Sequence, residues 1–349
     1  MQYNPEQDVF SDIILSTRVR LARNLREIPF PAAMNDEMRI AASKQMQTAL
    51  EGQTPAGVFH ATEISALSKV QAVALVEQHI MSPEFIEPLP GRMLMYNEDR
   101  SVSAMLNEED HLRLQILLPG FCLQKAYDRA EELDQFLEKR LPFAFDDEFG
   151  YLTQCPTNLG TGMRASLMVH LPAMQENGMM QRMAANLSKL GLTLRGIYGE
   201  GSEPKGAIYQ LSNQVTLGLS ERSAIDNLNN IARQLAAQER SVRSSLMKNE
   251  KIQDVVLRSL GLLKNARLLS NEEFMVLLSQ VRVGVAENWI TGVSQQELNL
   301  LMQQVQPATI SIKEDRPLEP TERDHLRAAR VRAVLRNAIE CEPENSQES

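Results

Sequence analysis

The stretch MLMYNEDRSVSAMLNEEDHLRLQILL, residues 93–118, decides the fold class. It holds three apolar or alternating runs of strand length, Met93 to Tyr96, Val102 to Leu106 and Leu112 to Leu118. The links between them, around Asn97 to Arg100 and Asn107 to Asp110, are short and polar. A parallel crossover needs a dozen residues or more, so links this short join antiparallel neighbours. The sheet is therefore expected to be largely antiparallel, with helices packed on it.

Outward from this core, Met163 to Leu171 and Val215 to Leu219 also read as strands, and helical periodicity appears near 37–51, 64–81, 123–140 and 175–190. Residues 1–220 thus read as one α+β domain. After 221 almost nothing alternates with period two, and apolar residues recur at helical spacing in 223–248, 252–263, 272–288, 295–305 and 322–339. Three starts carry capping signatures: Ser270 with Glu273, Ser294 with Glu297, and Thr321 with Asp324. Residues 221–340 are expected to form an all-helical C-terminal domain whose last helix follows a polar stretch around Pro307 to Pro320. The tail, 341–349, is too polar to bury and is expected to be disordered.

Composition narrows the function. The 349 residues carry a net charge of -9, so the lysine and arginine excess of a general nucleic-acid or anionic-membrane binder is missing, and a basic partner suits the chain better. Cys122, Cys155 and Cys341 are odd in number and widely spaced, which argues against a disulfide framework or a structural zinc site and for a reducing compartment. The first residues lack a signal-peptide pattern, and no run approaches a membrane span; a cytoplasmic location is expected.

Four segments could carry chemistry. In Ser16-Thr17-Arg18-Val19-Arg20 the two arginines share one face of a strand, a geometry suited to several phosphate oxygens, although a solvated strand edge would look the same. Asn107 to Arg113 places Glu108, Glu109 and Asp110 side by side; this is either a polar turn or a carboxylate cradle for a planar cation. Cys155 to Arg164, CPTNLGTGMR, has glycines at 160 and 162 that let backbone approach a ligand, or that simply shape a hairpin; Cys155 is either a small buried hydrophobe or a poised thiolate. Arg195 to Gly206, RGIYGEGSEPKG, reads as a closing loop or an idle surface loop. The chain has neither a GxxxxGK[ST] loop nor the HRD and DFG pair.

Taken in order, these segments resemble the phosphagen (guanidino) kinase superfamily, with its STRxR strand, NEEDHxR turn, CPTNLGTGxR turn and acidic loop. The resemblance runs from about residue 11 to 220 and implies the phosphagen kinase catalytic domain, a glutamine-synthetase-like antiparallel sheet flanked by helices. Within the superfamily the chain is similar to the bacterial protein-arginine kinases of the Clp system, because STRxR begins at Ser16 with no helical domain ahead of it and a helical region follows the sheet.

The resemblance implies an ATP-dependent kinase acting on arginine side chains of proteins. Ser16, Arg18, Arg20, Arg113, Asn158 and Arg164 would bind ATP, with Arg195 compensating for Tyr198 where metabolic arginine kinases have a further arginine. Glu109 would align and help deprotonate the attacking nitrogen, Glu203 would hold the guanidinium from the other side, and Cys155 would contact the same group. Mg²⁺ would arrive with ATP rather than in a protein cage. Near the C-terminus, Arg323, Arg327 and Arg330 fall at i, i+4 and i+7 and read as a basic helix face or a merely solvated one; the stretch resembles the family's RDxxRA motif, which implies phosphoarginine docking by Arg323, Asp324 and Arg327. The implied partners are substrate proteins with exposed arginines, a Clp ATPase or protease, an activator and a second copy of the chain. Two alternatives stay open: a small-molecule guanidino kinase, and a phosphoarginine-binding adaptor without turnover.

Overall fold

The computed structural model describes residues 9–196, 205–314, 316 and 318–341. Its centre is an eight-stranded sheet built from β1 (Ile14–Arg23), β2 (Phe59–Glu63), β3 (Met93–Asn97), β4 (Val102–Leu106), β5 (Leu112–Pro119), β8 (Met163–His170), β9 (Leu192–Gly196) and β10 (Ile208–Asn213), with β6 (Phe145–Asp146) and β7 (Gly150–Tyr151) forming a separate small hairpin. The order is β2-β3-β4-β5-β1-β8-β10-β9, and every neighbouring pair is antiparallel.

Period-two alternation gives the sheet two unlike faces. Val19, Leu21, Leu114, Ile116, Ala165 and Leu167 point to one side and share a buried cluster with Ala126 and Leu133 of the Leu123–Glu138 helix and with Ile225 and Leu228 of the Glu221–Leu246 helix. The opposite face is polar at its centre. A second cluster joins the C-terminal helices to Leu15 and Ile208 of the sheet, so the helical region is seated on one end of that polar face.

Several expectations shift. Val215 to Leu219 is not a strand; the strand lies earlier, at Ile208–Asn213. The 64–81 run contains a 3-10 turn at Ile64–Ala66 and an α-helix only over Lys69–Glu77, and 175–190 is split into Pro172–Glu176 and Met180–Lys189 at Gly178, whose φ is 65°. The stretch 307–320 contains a helix, Pro307–Lys313. Ser270 and Ser294 cap as the pattern requires, but the last helix starts earlier than Thr321: Glu319 caps it with Glu322, and Pro320 takes its first turn. The Glu221–Leu246 helix packs into the sheet's core through Ile225, Leu228 and Leu235.

Candidate active site

β1 runs through the middle of the sheet, and its register collects the arginines. Arg20 lies opposite Arg164 of β8 and Gln115 of β5, Ala22 lies opposite Arg113, and Arg18 lies opposite Ser166. Since facing residues share a side, Ser16, Arg18, Arg20, Arg113 and Arg164 all project onto the polar face. Arg195 joins them from β9, opposite Gln210. All six line one cavity of about 660 Å³.

The cations there are crowded. Burial and then the charges of Arg113 and Arg164 bring the Arg18 guanidinium down to about 10; Arg20 is pushed well below its ordinary value by burial and then by Arg18, Arg113 and Arg164. Arg164 is lowered by burial first and then by Arg195 and Arg113. The Nε atoms of Arg20 and Arg164 are buried without a protein partner. A fold tolerates clustered, desolvated cations with open donors where an anion of several oxygens completes them, and a triphosphate is such an anion.

The acidic turn separates its three carboxylates. Asn107, at φ 59°, donates through its amide to Arg39 O and Gly91 O, both at 2.9 Å, and so fixes the turn. Glu108 is buried and accepts from Ser82 Oγ at 2.7 Å and Arg113 Nη1 at 2.5 Å; burial disfavours its charge, but Arg113 outweighs that and holds the carboxyl low. Asp110 is buried too, accepting from Asn24 Nδ2 at 2.6 Å and Gln154 N at 2.8 Å, and burial pushes its carboxyl up. Glu109 alone is exposed. It accepts from Asn158 Nδ2 at 3.5 Å, and burial of the carboxyl, then Asp110 and Glu108, raise its pKa, against the lowering pull of Arg113 and of a hydrogen bond from Cys155. His111 in the same motif is structural: its Nδ1 accepts from Leu25 N and its Nε2 lies 2.9 Å from Pro29 O, and burial keeps it neutral.

The Cys155–Arg164 turn supplies the other wall. Cys155 is half-buried, its Sγ 3.0 Å from Thr157 Oγ1. Glu109, Cys155 and Asn158 line a second cavity, of about 260 Å³, whose boundary includes Arg20, Arg113 and Arg164. Those three arginines therefore face both cavities. The glycines of this turn approach the protein's own backbone rather than a ligand: a Cβ on Gly160 (φ 109°) would lie 2.2 Å from Thr216 O, and one on Gly162 (φ 60°) 2.6 Å from Ala22 O.

Sequence reasoning missed His79 and, from the C-terminal region, the largely buried Met275 and Met302, residues that also line the larger cavity. His79 sits at φ 59° with its carbonyl accepting from Gln115 Nε2 at 2.7 Å, and burial followed by the charge of Arg18 lowers its pKa to about 4, so it stands neutral beside the cations. No local pattern marks this histidine. Glu203 and Tyr198 lie outside the described residues, as does the tail from 342 onward. Arg323, Asp324 and Arg327 belong to the Pro320–Val334 helix and line neither cavity. Arg327 departs from the expected exposed basic face: it is 1% exposed and donates to Val305 O, Leu269 O and Asp324 Oδ1, bracing the helix from inside. Among the described residues there is no group of three or more metal-ligating side chains, and no helix is long and apolar enough to cross a membrane.

A family model described as the ATP:guanido phosphotransferase C-terminal catalytic domain matches residues 41–242, and fold and site together define a phosphotransferase of that class. A solved duplicated taurocyamine kinase from Schistosoma mansoni superposes with a TM-score of 0.61 at 29% identity, covering 68% of this chain; the chain spans 34% of that longer protein. A lombricine kinase structure, at 23% identity and a TM-score of 0.60 over 70% of this chain and 69% of its own, shares the fold. A second family model, the protein-arginine kinase McsB C-terminal domain, matches residues 249–348. Protein-arginine kinases of Pelotomaculum thermopropionicum and Bacillus velezensis are each 44% identical, over 94% and 93% of this chain and 93% and 90% of their own. The chain belongs to the protein-arginine kinase family.

Proposed function

We propose that the protein transfers the γ-phosphoryl group of ATP to a guanidinium nitrogen of arginine side chains in other proteins. The observation that carries this reading is the shared boundary of the two cavities. Arg20, Arg113 and Arg164 face a large cavity on one side and, on the other, a small one holding Glu109 and Cys155. A phosphoryl group gripped by those arginines lies between a nucleotide in the first and a guanidinium in the second. Phosphoryl transfer depends on in-line placement and charge neutralisation, and this arrangement supplies both.

In the reaction an N–P bond forms, the bond from the γ-phosphorus to the bridging oxygen breaks, and its electron pair leaves on ADP. A guanidinium has a pKa above about 12 and is a poor nucleophile until a base takes its proton. Glu109 is the acceptor of that proton, and its raised pKa makes it a better base than an ordinary glutamate. Glu203, from the 197–204 segment, is proposed to hold the guanidinium from the opposite side, with Cys155 against it. Ser16, Arg18 and Arg195 extend the phosphate grip along the sheet, and His79 presents a neutral ring to the nucleotide. Mg²⁺ is carried in on the phosphates, where it would neutralise their charge.

The same reading gives the C-terminal helices the tasks of pairing two copies and of docking phosphoarginine, with Arg323 and Asp324 as the docking residues. Regulation or Clp-type proteolysis of the marked proteins, a cytoplasmic location and control by an activator complete the proposal. The test is direct. ATP is supplied with an unfolded basic protein or with free arginine, and the products are handled without acid before mass spectrometry. An acid-labile phosphate on protein arginine is expected. Phosphate on free arginine alone would favour a small-molecule guanidino kinase, and none on either would favour an adaptor without turnover.

A further inference from the structure

Resting on the nucleotide reading of the larger cavity, we propose that the C-terminal helical region completes the nucleotide site: Met275 and Met302 form the wall on which the base stacks, and Gln303 reads the base edge in favour of adenine. The register of β1 with β8 sets the axis of the cavity. Arg20 pairs with Arg164, and Ser16 pairs with Met168. Four residues of strand separate the two levels, about 13 Å, comparable to the reach from a terminal phosphate to the base. At the Arg20 level the lining is cationic. At the other end Met168 packs against the C-terminal hydrophobic cluster, to which Met275 and Met302 belong, and all three line the cavity.

Thioethers are soft and suit the face of an aromatic ring. Met302 is held by its neighbour: Gln306, buried, donates from Nε2 to Met302 O at 2.8 Å and leans on Met275 Sδ at 4.0 Å. Gln303 is exposed and lines the same cavity, and no hydrogen bond engages its amide among the described residues. A carboxamide sets a carbonyl acceptor beside an NH2 donor group, which matches the amino group and N7 of adenine in a bidentate pair; guanine presents two acceptors there. The wall is latched to the catalytic part at the cavity. Glu77, which also lines it, accepts from Ala308 N at 2.8 Å, Thr309 N at 2.7 Å and Thr309 Oγ1 at 2.9 Å. Helices from the two regions thus close on one nucleotide.

Inorganic tripolyphosphate separates the two ends of the site. Affinities for ATP, GTP and tripolyphosphate, each with Mg²⁺, are measured by calorimetry on the full chain, on Met302→Ala and on Gln303→Ala. Met302→Ala should weaken ATP roughly threefold to tenfold and leave tripolyphosphate unchanged. Gln303→Ala, at an exposed position that does not threaten folding, should narrow the preference for ATP over GTP, again with tripolyphosphate unchanged. The inference is overturned if both variants keep the wild-type affinities, or if they lose ATP and tripolyphosphate in equal proportion. If the wild-type chain binds neither ATP nor tripolyphosphate, the nucleotide reading itself falls.

Discussion

Replacing Arg327 by alanine separates a brace from a ligand-binding residue. The side chain is 1% exposed, and it spans three segments through Val305 O at 3.0 Å, Leu269 O at 2.8 Å and Asp324 Oδ1 at 2.6 Å. Alanine leaves two buried carbonyls without a donor, at about 1–3 kcal/mol each, and opens a cavity where the stem lay. The loss of Asp324's partner adds less, because that carboxylate is 31% exposed and partly screened. A total of about 3–5 kcal/mol follows. Trp289 is the only tryptophan and is buried in the C-terminal cluster, so its fluorescence reports that region alone. With a urea dependence of about 2 kcal/mol per molar, the midpoint should fall by roughly 2 M. A midpoint unchanged within error, together with lost phosphoarginine binding, would refute the bracing role and restore Arg327 as a docking residue.

Arg323→Ala, by contrast, should shift that midpoint by no more than about 0.5 kcal/mol equivalent while weakening phosphoarginine in a binding titration, and equal affinity would count against the docking site. The raised pKa of Glu109, caused by burial and then by Asp110 and Glu108, sets the acid limb of the rate profile. Transfer needs the carboxylate, so on lowering the pH the rate should fall earlier than for an ordinary glutamate; a limb at the ordinary position speaks against Glu109 as the base. Gly160→Ala places a Cβ 2.2 Å from Thr216 O at φ 109°, costing about 1–3 kcal/mol in backbone strain before the clash is counted. The transfer rate should drop, since the displaced turn carries Cys155, Asn158 and Arg164; a wild-type rate would mean the turn tolerates the shift.

Much of the sheet was legible because its turns are polar and short, as at Asn97 to Arg100, and because period-two spacing puts Arg18 and Arg20 on one face whatever surrounds them. Val215 to Leu219 misled for a physical reason. Its apolar residues Val215, Leu217 and Leu219 are 42%, 47% and 48% exposed, whereas the inward residue is Thr216, which donates to Thr157 O and Leu159 O. The division of labour among Glu108, Glu109 and Asp110 could not be read locally, since Ser82, Asn24 and Gln154 arrive from distant segments to claim the outer two. Tertiary packing likewise turned Arg327 inward against a helical pattern that reads as solvated. His79 and Met302 reach the larger cavity only through the way the helices are laid over the sheet.

The sharpest measurement is the single-turnover rate of Glu109→Gln at saturating ATP and protein acceptor, with ATP affinity determined on the same sample. A loss of about 100- to 10,000-fold at unchanged affinity is predicted, because the glutamine still fills the space but cannot take the proton. A rate close to that of the unaltered chain would contradict the account.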